Sequence, residues 1–263
     1  MKVVIFCGGR GTRMREYSQT LPKPLVPIGP RPILWHMMRY YAHYGHKEFI
    51  LCLGYAGDQI KRYFMDYAEW ESNDFVLHGN GQGEHRVEML DSDLDDWTVT
   101  FVDTGLNSLM GERLRRVRPH LRDDEEFLVN YADCLTDCDL NEIIEFHRDQ
   151  EATATILSVP PTQSFHVVDT DDDGFVTRVG PADHAGVWIN GGYMVMRQEI
   201  FDYLGPGEEL VNQPFNRMAQ KGALAAYKYR GNWIGIDSFK ERQEMEELFV
   251  AGASWWTPWL TAP

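Results

Sequence analysis

The residues best equipped for chemistry lie at the start of the chain. Gly8, Gly9 and Gly11 follow the apolar run of residues 2–6, and Arg13 and Lys23 come next. Apolar, β-branched residues in such a short run predict a fully buried strand of a parallel sheet. A strand that runs into Gly-Gly-x-Gly ends in a loop whose backbone can approach a ligand closely, with N–H groups free to cradle an anion. Pro22 and Pro24 flank Lys23 and restrict the backbone on both sides of its charge. Together these features describe a loop that handles phosphate. It is neither of two common phosphate loops. No Gly-x-x-x-x-Gly-Lys-Ser/Thr string occurs, and the third glycine of a dinucleotide fingerprint is replaced by Met14.

Carboxylates supply the second half of the chemistry. Asp133 follows the strand expected at 126–130, at the carboxyl end where α/β folds place ligand chemistry. Asp137 and Asp139 compete with it, but Asp139 also suits the N-cap of a helix at 140–149. Asp237 precedes the last long helical segment, 239–252. Cys134 and Cys138 lack the further ligands that a zinc site would need, and Cys7 and Cys52 sit in apolar runs as small core residues.

The elements that must position these groups alternate. Strands are expected at 48–53, 98–102, 126–130, 153–159 and 223–229. Helices are expected at 33–44, 57–69, 197–204 and 214–221, with another opening at Gly111. This order implies right-handed crossovers and a mainly parallel, Rossmann-like α/β sheet in a single domain spanning 1–263. Residues 1–159 are expected to form the part that carries the phosphate loop. Two exceptions interrupt the rhythm. Residues 70–97 read as a solvated insertion, and 165–169 with 175–179 read as a hairpin turning at Asp171-Asp172-Asp173-Gly174. The hairpin belongs to a small β-rich lid over about 160–196.

The 263 residues carry a net charge of −15. An acidic surface argues against nucleic acid or anionic membranes as partners. It also makes the few cations beside the glycine loop more informative. No apolar run is long enough to span a bilayer and no signal-peptide pattern opens the chain, so a cytoplasmic location is expected.

Gly-Gly-x-Gly-Thr-Arg at 8–13, Pro-Lys-Pro-Leu at 22–25 and Pro32-Ile33-Leu34-Trp35-His36 resemble the opening of the sugar-1-phosphate nucleotidylyltransferases, more narrowly the glucose-1-phosphate cytidylyltransferases. The resemblance continues through Val102-Asp103-Thr104-Gly105, Gly111-Glu112-Arg113-Leu114, Tyr131-Ala132-Asp133, Asn190-Gly191-Gly192 and Ile236-Asp237. It implies catalytic roles for Arg13, Lys23, Asp133 and Asp237, with Asp133 and Asp237 holding Mg²⁺. It implies nucleotide binding by Cys7, Gly8, Gly9, Gly11, Thr12, Arg13, Lys23, Thr104, Gly111 and Arg113. Sugar binding falls to Tyr131, Asn190 and Gly191. The implied partners are a nucleoside triphosphate, read as CTP, and a phosphorylated small molecule, read as glucose 1-phosphate, in a homo-oligomer.

The chain departs from the family pattern in several places, one of them Gln163-Ser164-Phe165-His166 where the family has Arg-Phe-Gly. Glu112 and Ala132 replace glycines. Val179-Gly180-Pro181 stands where the family has Glu-Lys-Pro, so the lysine that binds the sugar phosphate is absent, with His184 or Arg178 as its candidate substitute. UTP or dTTP with a different acceptor, and a nucleotide-binding homologue without catalysis, are therefore the alternatives.

Overall fold

A computed structural model describes residues 1–9, 21–94, 96–162, 166–181 and 186–261. The strands in chain order are β1 (Val3–Phe6), β2 (Pro27–Ile28), β3 (Arg31–Pro32), β4 (Glu48–Leu53), β5 (Phe75–Gly79), β6 (His85–Met89), β7 (Thr98–Asp103), β8 (Glu126–Tyr131), β9 (Cys134–Thr136), β10 (Ala154–Val159), β11 (His166–Thr170), β12 (Val176–Pro181), β13 (Ile189–Arg197), β14 (Leu224–Lys228) and β15 (Trp233–Gly235). Seven of them build the central sheet in the order β14-β10-β13-β8-β1-β4-β7. β1 pairs in parallel with β4 and β8, β4 with β7, and β10 with β14, while β13 runs antiparallel to both β8 and β10.

Helices cover both faces, as a parallel sheet with buried strands requires. On one face, helices Ile33–His43 and Leu140–Asp149 pack with Val3, Ile5, Leu51 and Leu128. On the other, helices Met110–Val117 and Gln213–Gln220 pack with Val4, Ile50, Val129 and Met196. The alternation along β1 thus feeds two cores, so all four of its residues are buried. The aromatic tail folds back on its own chain. Trp256 is buried and meets His36 edge-on, and Trp259 meets Trp35.

Several boundaries differ from the sequence expectation. The helix expected over 57–69 ends at Met65, because Tyr67 and Ala68 turn inward: the Tyr67 hydroxyl donates to Asp93 and the Ala68 carbonyl accepts from Arg31. The segment 70–97 carries the exposed hairpin β5–β6. It is held to the body where buried Arg31 donates to Ser72 at 2.8 Å, and Ser72 in turn donates to Asp93 at 2.6 Å. The helix expected over 197–204 shrinks to Ile200–Tyr203, since β13 runs on to Arg197 with Val195 and Met196 in the two cores. For the same reason 189–196 belongs to the central sheet and not to a lid. Of the expected lid, the described part that stays outside the central sheet is the two-stranded hairpin β11–β12.

Candidate functional site

Parallel strands deliver their carboxyl ends to one edge of a sheet, and the loops there form this protein's cleft. Its volume is about 380 Å³. Phe6 to Gly9 line it from the end of β1, Tyr131 to Asp133 from the end of β8, and Lys23 and Asp237 from beside them; Ser108 to Met110, Arg113 and Glu209 complete the wall.

Three charged groups converge in the cleft. The Lys23 ammonium donates to Asp133 Oδ2 at 2.7 Å and to Asp237 Oδ1 at 2.6 Å. Lys23 sits in a single 3₁₀ turn, Lys23–Leu25, anchored by buried Pro24 and Leu25. Asp133 follows β8 directly. Asp237 comes from far along the chain and is brought in by an antiparallel ribbon: Gly235 of β15 pairs with Cys134 of β9, and the Ile236 amide donates to the Asp133 carbonyl at 2.8 Å. The next residue, Ser238, is the N-cap of helix Phe239–Val250 in a capping box with Glu241. Capping therefore falls to Ser238 and leaves the Asp237 carboxylate to the cleft. Asp139 is the N-cap that the sequence suggests, accepting from the Asn141 amide at 2.8 Å. Asp137 accepts from the Tyr229 hydroxyl and from Asn232, so its role is to tie loops.

Burial works to lower the Lys23 pKa, but the two carboxylates outweigh it and hold the ammonium above the ordinary lysine value. Lys23 is therefore fully charged at neutral pH. The two carboxylates reaching one ammonium define a single cation position bounded by oxygen donors. That donor chemistry fits a hard divalent cation, with phosphate oxygens and water as its further ligands.

Arg113 lies in the cleft wall but directs its hydrogen bonds to the protein itself. It is 4% exposed and lines the cleft, but its Nη1 donates to the Leu53 carbonyl and the Thr104 hydroxyl, and its Nη2 to the Gly8 carbonyl. One guanidinium thus knots the carboxyl ends of β4, β7 and β1. Gly8 must be glycine for this: a Cβ there would lie 2.0 Å from Arg113 Nη1. Among the described residues no carboxylate is ion-paired with Arg113, so its charge remains available to an anion in the cleft. Thr104 is fully buried behind it, donating to Leu53, and does not line the cleft. Gly111 does not either: it abuts the Glu208 carbonyl, which a Cβ would approach to 2.6 Å.

The residues expected to bind sugar are tied to one another. Asn190 Nδ2 donates to the Tyr131 hydroxyl at 3.0 Å, Asn190 Oδ1 accepts from the Gly192 amide, and the Gly191 carbonyl accepts from the Trp233 indole at 2.7 Å. Of the three, Tyr131 lines the cleft. Gly11, Thr12 and Arg13 lie outside the described residues, as does His184. Glu209, together with Ser108 to Met110, was not singled out by sequence. Glu209 sits in the polar stretch Gly-Glu-Glu at 207–209, which carries no pattern separating a cleft residue from a solvated loop.

Residues 2–235 match the family described as nucleotidyl transferase. The chain is 38% identical over 98% of its length to the whole of a probable glucose-1-phosphate cytidylyltransferase from Bacillus subtilis, and 36% identical, again over 98%, to the whole glucose-1-phosphate cytidylyltransferase of Salmonella typhi. In fold it is similar to HddC from Yersinia pseudotuberculosis, with a TM-score of 0.69 and 22% identity over 94% of this chain and 99% of that one. A UDP-glucose pyrophosphorylase complexed with UDP-glucose gives a TM-score of 0.68 at 14% identity, over 95% and 98% of the two chains. The chain belongs to the nucleotidyl transferase family, among its sugar-1-phosphate nucleotidyltransferases.

Proposed function

We propose that the protein joins CTP to glucose 1-phosphate, forming CDP-glucose and pyrophosphate with Mg²⁺ as cofactor. The observation that carries the chemistry is the convergence of Lys23, Asp133 and Asp237 in one cleft beneath a glycine loop. The substrates rest on the full-length similarity to glucose-1-phosphate cytidylyltransferases.

An oxygen of the sugar phosphate attacks the α-phosphorus of the nucleotide. The bond from that phosphorus to the bridging oxygen breaks, and pyrophosphate leaves with its electron pair. A phosphate monoester has a second pKa of about 6, so it is largely dianionic at neutral pH and needs no general base. The work left to the protein is positioning and charge stabilisation. Lys23 offsets charge gathering around the α-phosphorus. Arg113, buried and without a carboxylate partner among the described residues, adds a fixed positive field under the loop. Arg13 balances the leaving pyrophosphate. Asp133 and Asp237 would hold Mg²⁺, which when bound neutralises phosphate charge.

The test is pyrophosphate release with Mg²⁺, crossing CTP, UTP, dTTP, GTP and ATP with a panel of sugar 1-phosphates and other phosphorylated acceptors. CTP with glucose 1-phosphate should be the fastest pair. A different fastest pair would revise the substrates, a live outcome given the absent family lysine at 179–181. Nucleotide binding without turnover on any pair would overturn the enzymatic assignment of this cleft.

A further inference from the structure

The position between Asp133 and Asp237 belongs to a side chain of the protein itself. Lys23 Nζ lies 2.7 Å from Asp133 Oδ2 and 2.6 Å from Asp237 Oδ1, where two carboxylates would grip a divalent cation. All three residues line the cleft, and the two carboxylate side chains are 35% and 36% exposed against 12% for Lys23. The pair is therefore open to ions from solution, and what guards it is charge. One ammonium and two carboxylates sum to −1. A divalent cation added beside the ammonium would face a second positive charge a few ångströms away in a partly buried site. The backbone under Lys23 is held by its 3₁₀ turn and by buried Pro24 and Leu25. Any retreat is thus made by the flexible four-carbon stem. Gly8, Gly9 and Arg113 line the same cleft, so an anion bound there lies on the side to which that stem can turn.

We propose that Lys23 is a placeholder for the divalent cation: its ammonium keeps metal out of the Asp133–Asp237 pair until nucleotide phosphate draws the ammonium into the cleft. This rests on the nucleotidyl-transfer reading of the cleft and deepens it with an order of events. Phosphate and metal then enter together, because each removes the obstacle to the other. The anion takes up the charge of the ammonium, and the two carboxylates take up the cation. Such coupling is reciprocal. The placeholder also spares the resting cleft two bare carboxylates side by side, which would repel each other.

The test is equilibrium binding of Mn²⁺ alone, a hard divalent cation with a paramagnetic signal, to the full-length protein without nucleotide. Lys23→Met keeps the length of the side chain and removes its charge. Lys23→Gln keeps a donor for one carboxylate in case the bare pair disturbs folding, which melting curves without metal would show. Both variants should bind Mn²⁺ about tenfold or more tightly than wild type, since a unit charge a few ångströms away in a partly buried site is worth at least that. Adding Asp133→Asn to either variant should return the affinity to the wild-type level or below. Affinities within about twofold of wild type in both variants would overturn the proposal, because the metal then binds beside Lys23 and not in its place. A gain that survives Asp133→Asn would overturn it too, by locating the ion elsewhere. Tighter Mn²⁺ binding by the variants of a protein that turns over no substrate pair would leave the placeholder standing and remove the catalytic reading. Turnover with equal Mn²⁺ affinities would do the reverse.

Discussion

Asp237 shows how little separates a structural aspartate from a functional one. In sequence it stands one residue before a helix, where an N-cap is the ordinary use of aspartate. Ser238 takes that duty, and the Asp237 main-chain amide is satisfied by Glu241 Oε2 at 2.7 Å. The carboxylate is thus spent on the Lys23 contact in the cleft. Asp237→Asn keeps the volume and removes the charge while Lys23 retains Asp133. Pyrophosphate release should fall by about 100-fold or more, in line with losing one electrostatic contributor in a closed site. Nucleotide affinity, read by equilibrium binding without Mg²⁺, should change by no more than a few-fold. Full turnover in this variant would remove Asp237 from the metal site.

At the scale of elements, the ribbon β9–β15 joins two distant parts of the chain and helix Phe239–Val250 holds its far end. The capping box is the joint between them, because Glu241 Oε2 accepts from both the Asp237 and Ser238 amides. Ser238→Ala should cost about 1 kcal/mol, which in a chain of this size lowers the melting temperature by about 2–4 °C. Turnover should drop a few-fold as well, because the cap also fixes the backbone that carries Asp237. An unchanged melting temperature would show that the helix start is held by other means. The same joint marks where sequence reading stops. Strand ends, the glycine loop and the Pro-Lys-Pro turn are local patterns, so the sheet order of roles and the positions of Lys23 and Asp133 could be read from them. Arg113 belongs to a motif that suggested phosphate, yet its hydrogen bonds run to Gly8, Leu53 and Thr104, contacts that exist only after three strands are side by side. β13 read as a lid because it follows a hairpin; its burial in both cores, which decides its place, is a tertiary fact. Glu209 had no local signal at all.

Over the whole molecule, the chain's end is fastened into one of the two cores through Trp256, and His36 is the polar residue that meets it there. It lies buried on helix Ile33–His43, with Nε2 bonded to the Ile28 carbonyl at 3.0 Å and Nδ1 accepting from the Trp256 indole at 3.4 Å. Those partners require the neutral ring, protonated on Nε2. Burial pushes its pKa down to about 4, with the Ile28 carbonyl opposing only in part. The unfolded chain would protonate the same histidine near 6.5. Between these values the unfolded state holds a proton that the folded state does not, so stability is complete above about pH 6.5 and declines as pH falls toward 4. For this group the loss is on the order of 3 kcal/mol at most. His46 and His147 are also lowered to about 4 and act with the same sign. His36→Gln retains a donor for Ile28 and an acceptor for Trp256 without a titratable ring. Melting temperatures of wild type and variant, taken from pH 7.5 to 4.5, should diverge at neutral pH by the packing cost alone and converge as the pH drops. The tryptophan emission of the wild type should shift before global unfolding, because Trp256 loses its acceptor when Nδ1 takes a proton. Parallel melting curves across the whole range would mean that folded and unfolded chains protonate His36 alike, and the tail would then be held by packing of Trp256 and Trp259 with no contribution from the imidazole.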